Sequence, residues 1–176
     1  MDDLAAELGM SNKTLYSRFD TKQRLLEAVI DEQFRRVSEE CAGILAAKDR
    51  EFPTTLQDFL ACIQRHTAAI QPPFLKDMRQ EAPETFHRVE RLRCALIERY
   101  FGELMRRGRV GGFIRKDIPA VIIIEILLAA VQAIVNPVRM EEMDLTVKSG
   151  CALITKVVLE GALAPGAKAK EENLKL

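Results

Sequence analysis

The chain has 176 residues, of which 48% are hydrophobic and 30% charged, with 26 basic residues balanced by 26 acidic ones. This is the composition of a globular protein, and the length suits one domain or a small head plus a body that buries roughly 70% of its unfolded surface. Zero net charge removes any overall electrostatic argument for a polyanionic partner, so such an argument has to come from local patches.

In chain order, the first predicted elements are two short helices. Leu4, Ala5 and Leu8 share one side of the first, Gly9 makes the turn, and Ser11 is placed to cap the second, whose inner face carries Leu15 and Phe19. Two short helices joined by a Gly-containing turn form the helix-turn-helix pattern, and an ordinary helical hairpin has the same spacing. Between Ser11 and Arg24 the charges are Lys13, Arg18, Lys22 and Arg24 against Asp20 alone, a local basic patch. A long helix capped at Asp20 follows, with apolar positions from Leu26 to Leu45 at helical period, ending near Lys48.

After a break at Asp49–Pro53, Thr55 is predicted to cap a helix whose inner face includes Leu56, Phe59, Ile63 and Ile70. Gln71-Pro72-Pro73 ends it, and a short helix spans Phe74 to Glu81. Pro83 opens a long amphipathic helix that stops at Gly108, with Gly111-Gly112 in the following loop. The cations around that loop are assigned to a helix C-terminus rather than to a second nucleic-acid patch. The run from Ile118 to Val135 is apolar nearly all round but contains Pro119, Glu125 and Gln132, which suits a buried core or interface helix better than a membrane span. Glu125, Gln132 and Asn136 form a stripe that either lines a pocket or pairs across an interface. A last helix covers about Asp144 to Leu163, and the Ala/Lys/Glu-rich tail from Pro165 reads as disordered. The cysteines at 41, 62, 94 and 151 have no CxxC and irregular gaps, so they are expected to be free thiols in a reducing cytoplasm, with no metal and no cofactor. No secretory leader pattern is present.

The segment LAAELGMSNKTLYSRFDTKQRLLEAV, Leu4 to Val29, resembles the DNA-binding region of the tetracycline-repressor (TetR) family of bacterial regulators. Leu15-Tyr16, Phe19, Lys22 and Leu25-Leu26 carry the resemblance. It starts at the family's second helix, so the reading expects a head lacking the family's first helix. The resemblance implies an all-α homodimer with a helix-turn-helix head and a helical ligand-binding body. The expected division is a head with connecting helix over 1–47, a ligand-binding and dimerisation domain over 48–164 and a tail over 165–176.

The implied function is a ligand-responsive regulator, a repressor that binds a palindromic double-stranded operator and is released by a small, largely apolar molecule. Ser11, Asn12, Lys13 and Thr14 face the bases, while Tyr16 and Lys22 hold phosphates. Pocket candidates are Ile63, His66, Phe74, Met78, Phe101 and Glu125. Ala129, Ala130 and Ala133 are assigned to a dimer interface because small residues admit a close partner helix, and Leu153 and Val157 because the resemblance implies a four-helix bundle between subunits formed by the last two helices. The alternative is a dimeric helical ligand-binding or interaction protein that has lost DNA binding. No catalytic constellation exists around His66 or His87, so no enzyme is expected.

Overall fold

The computed structural model describes residues 2–7, 9–47, 49–68 and 70–162. All regular elements among them are helical. They are α1 (Asp2–Glu7), α2 (Asn12–Arg18), α3 (Lys22–Ala46), α4 (Phe52–Ala68), α5 (Pro72–Glu81), α6 (Pro83–Leu96), α7 (Gly102–Val110), α8 (Ala120–Ile134), α9 (Pro137–Glu142) and α10 (Val147–Ala162). A π-helical turn, Ile97–Phe101, joins α6 to α7. Two compact units result, Met1–Arg36 and Val37–Leu176, and the division falls inside α3. The expected tail, with Leu8 and Lys48, lies outside the described residues.

The first unit is built on two small contacts. Ala5 and Leu15 are both almost fully buried, at 2% and 3% exposure. Gly9 takes φ 63°, and the amides of Gly9 and Met10 donate to the carbonyls of Ala6 and Ala5 at 3.1 and 3.0 Å. This paired arrangement closes α1 with a left-handed residue, which only glycine adopts cheaply. The cap of α3 differs from the expected Asp20. The Thr21 hydroxyl accepts from the Arg24 amide at 3.1 Å, so Thr21 satisfies that orphan N–H.

In the second unit, α10 packs on α8 and α4, α7 packs on α8 and α4, and α5 packs on α6 and α9. Its core includes Leu56, Phe59, Leu104, Met105, Ile123, Leu127, Val131, Ile154 and Val158. Several predicted boundaries shift. Thr55 lies inside α4, buried, with its hydroxyl donating to the Glu51 carbonyl, so it caps nothing. The last helix begins at Val147, where the side chains of Thr146 and Ser149 each accept from the other's amide. The short α9 has no counterpart among the predicted elements, because its six residues are too few to show a period. The π turn buries both Tyr100 and Phe101, adjacent residues that a regular helix would point about 100° apart, and the Tyr100 hydroxyl lies 2.5 Å from that of Ser38.

Gly108 does not end its helix. It is buried within α7, which runs on to Val110, and Gly112 at φ 76° takes the left-handed position in the loop. A Cβ on Gly108 would come within 2.4 Å of Ile114 Cγ1 and 2.6 Å of Phe52 Cζ. Phe52 is itself stacked on Phe113 at 5.1 Å between centroids. The neighbouring cations are spent locally: Arg106 and Arg107 pair with Glu103, Arg109 donates to the Ile118 carbonyl, and Arg115 pairs with Asp117. No described helix is long and apolar enough to cross a membrane. Gly108→Ala is expected to lower stability by about 1–3 kcal/mol despite its better helix propensity, because overpacking at Ile114 and Phe52 exceeds that gain. Urea denaturation would show the loss as a lower midpoint at unchanged slope.

Candidate nucleic-acid interface and ligand concavity

The nucleic-acid candidate is the start of α2 together with the first turn of α3. Ser11 sits in an extended conformation at the N-cap of α2, and its hydroxyl accepts from the Thr14 amide at 3.1 Å. The same oxygen lies 2.9 Å from the Thr14 hydroxyl. Leu15 anchors the inner face, so the outer face turns Asn12, Lys13, Thr14 and Tyr16 to solvent, with Tyr16 at 47% exposure. Lys13, Arg18, Lys22 and Arg24 are all exposed, giving the first unit a basic surface.

These side chains differ in what they have to spare. Ser11 is committed to the cap. Asn12 donates its amide to Asp2 on α1 at 2.7 Å, a tie that holds it against the first helix. Asp2 carries no sequence signal for this role, because the pair spans ten positions and two helices. Lys22 stands at the first position of α3, where free backbone N–H groups and the helix dipole favour an anion.

The pocket candidates differ in burial. Met78 and Phe101 are buried, Ile63 and His66 half-buried, and Phe74 and Glu125 exposed or partly so. A concavity of about 530 Å³ instead lies among α5, α6, α8 and α9, lined by Arg79, Phe86, His87, Glu90, Gln132, Asn136, Val138, Arg139 and Glu142. A second, of about 510 Å³, shares His87, Glu90 and Gln132 with it. Gln132 and Asn136 come from the stripe noted in the sequence, but Glu125 of that stripe lines neither. Arg79, Glu90 and Arg139 in the first lining each read, in the sequence, as part of a solvated helix face.

Of the interface candidates, Ala129, Ala133, Leu153 and Val157 are exposed, with Leu153 at 54% and Val157 at 71%, and Ala130 is half-buried. Val121, Ile122 and Ile126 on α8 are exposed with them.

Residues 1–29 match the family model described as bacterial regulatory proteins, tetR family. The fold is similar to the crystal structure of the TetR family transcriptional regulator PfmR from Thermus thermophilus, with TM-score 0.57 and 18% identity over 90% of this chain and 86% of that one. No curated protein matches. Ser11→Ala is expected to cost about 1 kcal/mol, whereas Ser11→Asp keeps the cap. Hydrogen exchange would read this as lost protection of the α2 amides in the alanine variant and retained protection in the aspartate variant.

Proposed function

We propose that this chain, a TetR-family protein by its head and by its fold, is a homodimeric DNA-binding repressor of transcription whose hold on a palindromic operator is relieved by a small molecule. The observation that carries this reading is the exposed, basic outer face of α2 and the start of α3, with α1 packed on α2 and Ala5 and Leu15 buried behind that face. In the proposed complex α2 enters the major groove. Asn12, Lys13 and Thr14 face base edges there, which Asn12 reaches by exchanging its bond to Asp2 for one to a base. Ser11 supports this end of the helix as its cap. Tyr16 donates its hydroxyl to a phosphate, and Lys22 holds another over the α3 N-terminus.

Dimerisation is supported by the exposed apolar stripe of α8, Ile122, Ile126, Ala129 and Ala133, beside Leu153 and Val157 of α10. α8 and α10 pack on each other, so the two stripes supply one surface for a second copy and a four-helix bundle between subunits. Two heads would then read half-sites about one helical turn apart. The concavities beside α6 are the proposed effector region. Their Arg, Glu and His lining favours a ligand with polar groups as well as apolar surface, a departure from the largely apolar molecule expected from sequence.

Capture of fragmented genomic DNA is expected to enrich one palindromic site. Lys22→Ala should weaken binding across sequences and reduce the salt slope of log K by about 1 per subunit, and Tyr16→Ala should weaken binding similarly. Absence of any enriched site would leave the helical ligand-binder without DNA function. Val157→Glu with Ile126→Glu is expected to convert a dimer to a folded monomer in sedimentation equilibrium, because each places a charge in an apolar interface.

A further inference from the structure

Facing stretches of α3 and α4 bring three donor side chains together, Glu40, Cys62 and His66, and set Cys41 against Cys62 as a fourth that a side-chain rotation would bring in. Cys41 and Cys62 are buried at 1% and 0% exposure, with their Sγ atoms 3.8 Å apart. His66 follows Cys62 by one helical turn on the same face of α4. Its Nε2 lies 2.8 Å from a Glu40 carboxylate oxygen. Donor atoms of Glu40, Cys62 and His66 all lie within 4.8 Å of one another. The other Glu40 oxygen accepts from Arg65.

We propose that Cys41, Cys62, His66 and Glu40 form a binding site for a thiophilic divalent cation of the zinc class. Zn–S bonds of about 2.3 Å at a tetrahedral angle place two sulfurs about 3.8 Å apart, the separation already present here. The donor set of two sulfurs, one imidazole and one carboxylate suits zinc and excludes magnesium and calcium, which take oxygen. Charge closes as well. Two thiolates and one carboxylate against a divalent cation leave one negative charge, and Arg65 beside Glu40 balances it. Arg65 thereby orients Glu40 from outside the coordination sphere. An entry path exists, because the Cys pair is buried while the His66 and Glu40 side chains are 19% and 36% exposed.

Binding requires both thiols to lose their protons to solvent and the His66 proton that faces Glu40 to move to Nδ1, which frees the Nε2 lone pair for the metal. Because binding displaces these protons, affinity rises with pH.

The test is titration of the reduced, chelator-treated full chain with cobalt(II), then zinc(II) displacement. One equivalent per chain is expected, with the sulfur-to-cobalt charge-transfer band and the intense visible bands of tetrahedral cobalt. His66→Gln and Cys62→Ala should each weaken binding more than about 100-fold, and Arg65→Gln, which only orients Glu40, about 10–100-fold. Cys151→Ser should leave it unchanged. Circular dichroism checks that each variant is folded, and half-exposed His66 keeps the test informative if Cys62→Ala unfolds. Octahedral cobalt bands, binding unaltered in His66→Gln, or no uptake at all would overturn the site. So would a mass loss of two hydrogens under mild oxidation without metal uptake, which would make Cys41–Cys62 a disulfide pair instead.

Discussion

An apolar helix with too little of its own chain to cover it sets the terms for the body. α8 carries aliphatic residues on nearly every side, and the chain buries only part of that surface. Ile123, Leu127 and Val131 are buried, while Val121, Ile122 and Ile126 remain 57%, 46% and 55% exposed. Fully burying an aliphatic side chain contributes about 1.5–3 kcal/mol. A stripe of such residues, extended by Leu153 and Val157 on α10, therefore amounts to several kcal/mol left in water. Contiguous apolar surface of this kind is unusual on a monomer and ordinary at a subunit interface. Ala129 and Ala133 lie in the same stripe, where their small side chains let another helix axis come near.

The same body relies on residues that are small where helices or loops meet. Gly108 lets Phe52 and Ile114 close over α7. Gly150 is buried on α10, with Val135 and Ile134 side chains at 3.7 and 4.0 Å from where its Cβ would stand. Ala162 is buried at 1% and offers its carbonyl to the Arg115 amide at 2.9 Å, tying the loop after α7 to the end of α10. Arg115 adds a side-chain bond to the Gly161 carbonyl and Arg109 one to the Ile118 carbonyl, so these two cations find acceptors within the chain.

Helical period made the architecture legible. Leu15 and Phe19, the α3 stripe to Leu45 and the apolar run of α8 each repeat often enough to fix an element and its inner face. Ends were harder, because capping depends on which side chain rotates onto which amide. Thr21 and Asp20 are adjacent and chemically eligible, and only the bond to Arg24 separates them. Gly108 illustrates a second limit: a glycine reads as a stop, but the structure uses its missing side chain instead of its free backbone. Which apolar side chains lie at the surface was least legible. Phe74 has the chemistry of a pocket residue and lies at the surface, and Met78 has it and lies in the core.

The cysteines show why spacing along a chain misleads in helical proteins. Cys41 and Cys62 are 21 positions apart, far from any compact ligand motif, yet the α3–α4 reversal places their sulfurs in contact. The signal present in the sequence was Cys62 with His66 four residues on, one turn of one helix face, opposite the adjacent pair Glu40-Cys41. Each half has an ordinary explanation taken alone. Buried thiols fill core space as small hydrophobes. Half-exposed ion pairs such as Arg65–Glu40 contribute little, about 0–1 kcal/mol. Neither explains why the polar half meets the thiol half at one point. Core filling needs no carboxylate beside it, and a surface ion pair gains nothing from two sulfurs beneath it. A cation that prefers sulfur and imidazole accounts for both halves with one interaction.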